Sequence, residues 1–142
     1  MKLFLDTDVL LDILMESRDN NIDSTSIIRV ADAGYVEAVI TTQSIIDAHY
    51  VIVNITKTPK QEFLTALAEI MSSVKVASIS EENIRSAMAG SISDFDDASQ
   101  IACAEALGCD CIISSDKKMK RDSNITVYTP TEFCNMVFLP MR

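Results

Sequence analysis

The apolar run Leu3-Phe4-Leu5 stops at Asp6, and from Val9 onward apolar residues recur at helical spacing through Leu10, Leu11, Ile13 and Leu14. This pattern predicts a buried strand at 2–6 handing over to a helix at 9–16. A second helix is expected at 24–34, a strand at 37–41 and a strongly apolar helix at 43–55. Thr58-Pro59-Lys60-Gln61 has the form of a capping box, with a hydroxyl at the cap, proline at the first helical position and Gln at the third. It predicts a helix to about 73, followed by a strand at 74–79. Ser80-Glu81-Glu82 opens another helix, its acids complementing the positive end, and Ser93-Asp94-Phe95-Asp96 opens one that runs to Leu107 and stops at Gly108. Short strands are expected at 111–114 and 125–128, and Thr129-Pro130-Thr131-Glu132 forms a further capping box. Strands alternating with helices of this length predict a mainly parallel sheet with helices on both faces.

Composition narrows the picture. The 142 residues are 48% apolar, enough for one substantial core, and only three glycines and three prolines interrupt the pattern, so one domain over 1–142 is expected. No apolar run reaches the roughly 18 residues of a spanning helix, and the N-terminus lacks the flanks of a leader, which predicts a cytoplasmic protein with no membrane partner. Cys103, Cys109, Cys111 and Cys134 sit in apolar or strand-like surroundings and read as reduced core thiols; Cys109-Asp110-Cys111 alternates across a strand and lacks a second ligand pair for zinc. The net charge of −9 argues against loose, charge-driven binding to nucleic acid. It leaves room for a nuclease, because an acidic site that loads divalent cations reverses its local sign.

The acids are distributed unevenly. Asp6 lies at a strand end, as does Asp116 after Ile112-Ile113-Ser114-Ser115, and in an open α/β sheet ligands bind at such ends. Asp47 is the only ionised residue of the apolar segment from Ser44 to Ile55, and Asp97 opens a helix rich in small residues. No Lys or Arg occurs between Arg29 and Lys57, or between Arg85 and Lys117. Buried carboxylates without a cation are costly, and a divalent ion is an economical partner, with oxygen ligands suiting Mg²⁺ or Mn²⁺ better than Zn²⁺. Simpler roles compete. Asp94, Asp96 and Asp97 all complement the dipole of their helix, Asp96 facing away from the Asp94/Asp97 pair. Asp8 and Asp12 are expected to cap or solvate the first helix, His49 to be structural, and Lys117, Lys118, Lys120 and Arg121 to form a solvated turn.

Three segments, LFLDTDVLLDIL, TTQSIIDAHYVI and SDFDDASQIACAEALGCDCIISSDKKM, resemble in order and spacing the successive motifs of PIN-domain ribonucleases, above all bacterial toxins of the VapBC type. The resemblance covers nearly the whole chain. It implies a three-layer α/β/α sandwich and an endoribonuclease that uses Mg²⁺ or Mn²⁺ and leaves a 5′-phosphate. Transferred by position, the four acids are Asp6, Asp47, Asp97 and Asp116, with Asp94 as an extra carboxylate and Ser114 as a supporting hydroxyl. Asp47 stands where the family often has Glu, Ser114 where it usually has Thr, and Asp8 where many members have Asn. On this resemblance Asp6, Asp97 and Asp116 hold the ion that delivers water, while Asp47 and Asp94 complete the shell or recruit a second ion. The partners implied are an RNA substrate and an antitoxin protein lying between the N-terminal helices, and a homodimer is compatible.

Other functions fit less well. Asp6-Thr7-Asp8 after a strand resembles the opening of haloacid-dehalogenase-like phosphatases, but no later Gly-Asp-x-x-x-Asp segment appears. A receiver domain needs a phosphoacceptor at its third strand end, where this chain has Ser80. A catalytically inert PIN-like module that only binds a partner is the remaining alternative, and the complete set of acids argues against it.

Overall fold

The computed structural model describes residues 1–138. Strands β1 (Lys2–Leu5), β2 (Glu37–Thr41), β3 (Lys75–Ala77), β4 (Cys111–Ile113) and β5 (Thr126–Tyr128) form one sheet, all neighbours parallel, in the order β3-β2-β1-β4-β5. The helices are α1 (Thr7–Leu14), α2 (Asn21–Asp32), α3 (Thr42–His49), α4 (Lys60–Met71), α5 (Glu81–Ala89), α6 (Phe95–Ala106), α7 (Lys117–Asp122) and α8 (Pro130–Phe138).

Alternation along the strands splits the core in two. Leu3, Leu5, Ala38, Ile40, Cys111 and Ile113 face one layer, where they meet Val9 and Leu10 of α1, Ile27 of α2, Ala48 of α3, Phe63 of α4 and Phe133 of α8. Phe4, Ile112 and Val127 face the other, against Ile101, Cys103 and Ala104 of α6 and Met119 of α7. Both faces being covered, the central strands are apolar throughout, and the three-layer α/β/α arrangement follows. The four thiols are free and buried; Cys109 and Cys111 fall in opposite clusters, as alternation requires.

Several boundaries differ from the sequence expectation for identifiable reasons. The capping box at Thr58 does not form. The helix begins at Lys60 with no side-chain cap, and the Thr58 hydroxyl turns to Thr56 instead. The one at Thr129 does form: the Thr129 Oγ1 accepts from the Glu132 N–H at 3.1 Å, and the Glu132 Oε1 accepts from the Thr129 N–H at 2.9 Å. At Ser80 the reciprocal partner is Asn83. The strand expected at 74–79 shrinks to three residues at the sheet edge. The long apolar helix expected at 43–55 is α-helical only to His49 and continues as a π-helical turn, Tyr50–Ile55. Gly108, at φ +69°, ends α6 in the left-handed conformation that disfavours a side chain. No helix among the described residues is long and apolar enough to cross a membrane.

Candidate active site

From β1 the chain builds outward to β2 and β3 on one side of the sheet, then returns to place β4 and β5 on the other. The crevice beyond such a reversal is where open parallel sheets bind ligands. Asp6 follows β1 there. It is only 6% exposed and caps α1: its Oδ1 accepts from the Thr7 N–H at 2.7 Å. Its Oδ2 accepts from the Ser114 hydroxyl at 2.7 Å, a bond across 108 residues of sequence made possible by the β1–β4 pairing. The Ser114 oxygen in turn accepts from the Asp116 N–H at 3.0 Å, so one hydroxyl links the two strand ends. Asp116 caps α7 by accepting from the Lys118 N–H at 2.9 Å.

Asp97 enters from the first turn of α6. It is buried, and its Oδ2 has no hydrogen-bond partner among the described residues. Burial pushes its carboxyl up to about 7, with repulsion from Asp116, Asp94 and Asp6 adding to the effect. Asp6 is also raised, by burial first and by Asp116, against the lowering effect of its hydrogen bonds from Ser114 and Thr7. The structure therefore brings Asp6, Asp97 and Asp116 into one mutually repelling group. Asp94 flanks it as the cap of α6, accepting from the Asp97 N–H at 3.0 Å. Contrary to the sequence expectation that these acids lack a protein cation, Lys118 pairs with Asp94 at 2.9 Å. Lys118 also belongs to a helix, α7, rather than to a solvated turn, and Lys120 pairs with Glu132.

Asp47 stands to one side on α3, its Oδ1 accepting from the Gln43 amide at 2.9 Å. With Gln43, Ile79, Ile84, Phe95, Asp96 and Ser99 it lines a groove of about 430 Å³. The start of α3 is fixed to α1 by a 2.7 Å hydrogen bond between the Thr7 and Ser44 hydroxyls, and Thr41 caps it by accepting from the Ser44 N–H.

The residues around the group hold further corrections. Asp8 is half-buried rather than solvated: burial pushes it up to about 7, Asp6 adds repulsion, and its Oδ2 accepts from the Ser115 N–H at 2.9 Å. Asp12 is 2% exposed, paired with Arg18 Nε at 2.7 Å and accepting from the Ser24 hydroxyl at 3.1 Å. His49 packs edge-on against Phe63, as a structural residue does. Gln100, buried and lying beside Asp6, has no counterpart among the sequence expectations. Its position three residues after Asp97 on one helix face is the signal that points to it.

The donor set suits a hard divalent cation: it is all oxygen, it contains an unpartnered buried Asp97 Oδ2, and its carboxylates repel one another. Among the described residues, no three His, Cys, Asp or Glu side chains are gathered tightly enough to enclose an ion. The hydrogen bonds account for the spread, since Asp6, Asp94 and Asp116 each turn one oxygen to a backbone N–H of the helix they cap.

A PIN domain family model matches residues 2–118, a span that includes Asp6, Asp47, Asp94, Asp97 and Asp116. The chain is 28% identical over 138 residues to ribonuclease VapC1 of Aquifex aeolicus (strain VF5), covering 94% of this chain and 93% of that protein. Among solved structures it is similar to VapBC2 from Rickettsia felis bound to a DNA fragment from their promoter (TM-score 0.66, 14% identity, 91% of this chain and 98% of that one). It is also similar to Mycobacterium tuberculosis VapC20, a sarcin-ricin loop cleaving toxin (TM-score 0.65, 12% identity, 84% and 93%). The fold, the span of the matching model and the strand-end carboxylates agree: the chain belongs to the PIN domain family.

Proposed function

We propose that the protein is a metal-dependent endoribonuclease, the toxin of a VapBC-type pair, with Asp6, Asp97 and Asp116 as the carboxylates that hold a Mg²⁺ or Mn²⁺ ion. The observation that carries this reading is Asp97, a buried carboxylate with one oxygen unpartnered, facing two more acids at the β1/β4 crevice. When bound, the ion supplies Lewis acidity to a phosphodiester and lowers the pKa of water beside it. The chain's residues do the rest. Ser114 and the Thr7 N–H fix the Asp6 carboxylate in one orientation, and Ser114 also sets the distance between the β1 and β4 ends. Gln100 leans on Asp6 from α6. Asp47 and Asp94 complete the outer side of the shell, Asp94 in competition with Lys118. Lys118 at the mouth gives the acidic crevice a positive edge toward an approaching phosphate.

The similar ribonuclease VapC1 and the VapBC2 complex support an RNA substrate and an antitoxin partner for this chain. A catalytically inert binding module would have no use for this concentration of strained carboxylates, which cost stability while they stay empty. The test is cleavage of a pool of structured and single-stranded RNAs. Cleavage should require Mg²⁺ or Mn²⁺, stop in EDTA, and fall at least about 100-fold in Asp6→Asn and in Asp116→Asn, with both variants folded. Cleavage that survives EDTA and both substitutions sinks the proposal.

A further inference from the structure

Apart from Asp47, the groove beside the carboxylates is lined by residues that the metal chemistry does not use. It lies over the C-terminal edge of the sheet. Gln43 and Asp47 come from α3 after β2, Ile79 from the segment after β3, Ile84 from α5, and Phe95, Asp96 and Ser99 from the first turns of α6. Phe95 follows Asp94 directly and precedes Asp97 by two residues, yet it turns outward and is 50% exposed. Ile79 and Ile84 are both half-buried beside it, so the groove has an apolar floor with one free aromatic face.

The polar rim is one-sided. One Gln43 amide N–H is engaged by Asp47, leaving the other N–H as the rim's single free donor beside the Gln43 carbonyl and the second Asp47 oxygen as acceptors. The Ser99 hydroxyl donates to the Phe95 carbonyl, leaving its lone pairs. Asp96 adds a carboxylate. Two acids in a chain of net charge −9 exclude a phosphate from this groove. What an apolar floor, an open ring and a rim in which acceptors outnumber the one free donor fit is a flat, neutral group that carries N–H donors on its edge. Unpaired nucleobases are such groups, and single-stranded RNA is recognised by stacking bases on aromatic side chains and by hydrogen bonds to their edges.

Building on the endoribonuclease reading, we propose that this groove seats the base next to the scissile phosphate, stacked on Phe95, and selects bases bearing an exocyclic amino group over uracil. A carboxylate accepts from an amino group such as that of cytosine, whereas the edge of uracil flanks its one N–H with two carbonyl oxygens that the rim repels. The volume of about 430 Å³ is in the range of small-ligand sites and accommodates one base. Phe95 is thus a specificity residue, while the carboxylates of the β1/β4 crevice remain the reacting centre.

The chain contains no tryptophan, so Phe95→Trp introduces a single indole reporter at the groove. In Ca²⁺, with RNA integrity checked on gels, eight-nucleotide oligo(A) and oligo(C) should quench the indole fluorescence of this variant, and oligo(U) should do so at least about fivefold more weakly. In Mg²⁺, Phe95→Ala and Phe95→Leu should each raise KM for an A- or C-containing RNA about tenfold over wild type with kcat nearly unchanged, and Phe95→Tyr should restore it. Because Phe95 is half exposed, these variants should keep the wild-type melting temperature, and that control is measured alongside. Wild-type cleavage with unaltered KM in Phe95→Ala, rescue by Leu as good as by Tyr, or equal quenching by oligo(U) overturns the proposal and leaves the ribonuclease reading intact. An indole that responds to an antitoxin protein and to none of the RNAs overturns it in favour of a protein contact. The absence of both cleavage and quenching overturns the base groove and the ribonuclease reading together.

Discussion

Replacing Asp97 with Asn should stabilise the protein when no metal is present and remove most of its response to metal. The Asp97 carboxyl moves from an ordinary 3.8 to about 7, chiefly through burial and then through Asp116, Asp94 and Asp6. At 1.36 kcal/mol per pH unit, keeping it ionised at pH 8 costs at most about 4 kcal/mol. The crevice is open to water and the repulsion is shared among four acids, so roughly half of that, about 2 kcal/mol, is expected to register. The sign follows from proton binding. Between pH 4 and 7 the folded protein holds a proton on Asp97 that the unfolded chain releases, so stability falls as pH rises from about 4 and levels off above about 7. Thermal unfolding in EDTA at pH 5 and pH 8, followed by circular dichroism, measures the effect. Wild type should lose stability across that interval, with Asp6 and Asp8, also raised, contributing to the slope. Asp97→Asn should melt about 4–8 °C above wild type at pH 8 and by a visibly smaller margin, roughly half of that, at pH 5. Millimolar Mg²⁺ should reverse the order by stabilising wild type through mass action. An Asp97→Asn variant that is less stable than wild type at pH 8 in EDTA, or that responds equally to Mg²⁺, would refute the idea of a strained site awaiting a cation.

Two further outcomes are expected. Lys118→Met releases one Asp94 oxygen from its ion pair and should tighten Mg²⁺ binding severalfold by calorimetry; unchanged or weaker binding would show that Asp94 stays outside the ion's shell. Arg18→Ala strands the Asp12 carboxylate, 2% exposed, with only the Ser24 hydroxyl, and should cost about 2–3 kcal/mol in urea unfolding because Arg18 is itself partly solvated. Adding Asp12→Asn should recover at least half of that loss, and a single-variant loss below about 0.5 kcal/mol would contradict the burial argument.

The elements that sequence patterning makes legible are those with sharp polarity edges. The first two strands are plain because apolar runs end abruptly at Asp6 and Thr41, and helices α5, α6 and α8 because each begins at a residue of recognisable capping chemistry: Ser80, Asp94 and Thr129. The π-helical turn after His49 leaves no trace, because a segment apolar almost all round does not reveal whether its hydrogen bonds skip four residues or five. Side-chain pairs are legible only where local spacing constrains them. Asp12 and Arg18 are six residues apart across a turn, and Lys118 lies 24 residues from Asp94, so neither pairing has a signature in the one-dimensional pattern. The count of cations near each acid along the chain therefore overstates how many acids are left unpaired.

The carboxylates that remain without cations are set by topology rather than by sequence distance. In the order β3-β2-β1-β4-β5, β1 is central, and its two neighbours come from distant parts of the chain. Whatever ends β1 must therefore meet whatever ends β4, and the Ser114 hydroxyl bridging Asp6 to the Asp116 N–H is the local expression of that meeting. Asp97 joins them because α6 starts above the same edge with its cap, Asp94, outside and the next turn inside. Asp47 reaches the edge from β2, on the far side of β1 from Asp116, with a side chain one methylene shorter than Glu and one oxygen held by Gln43. There it lines the Phe95 groove, on the β2 side of the sheet edge. A Glu at position 47 would extend toward the crevice and give up the Gln43 geometry, so Asp47→Glu should strengthen metal-induced stabilisation while weakening discrimination against uracil at the groove. Measuring both on one variant separates the two roles: a change in metal response alone assigns Asp47 to the ion, and a change in base preference alone assigns it to the substrate.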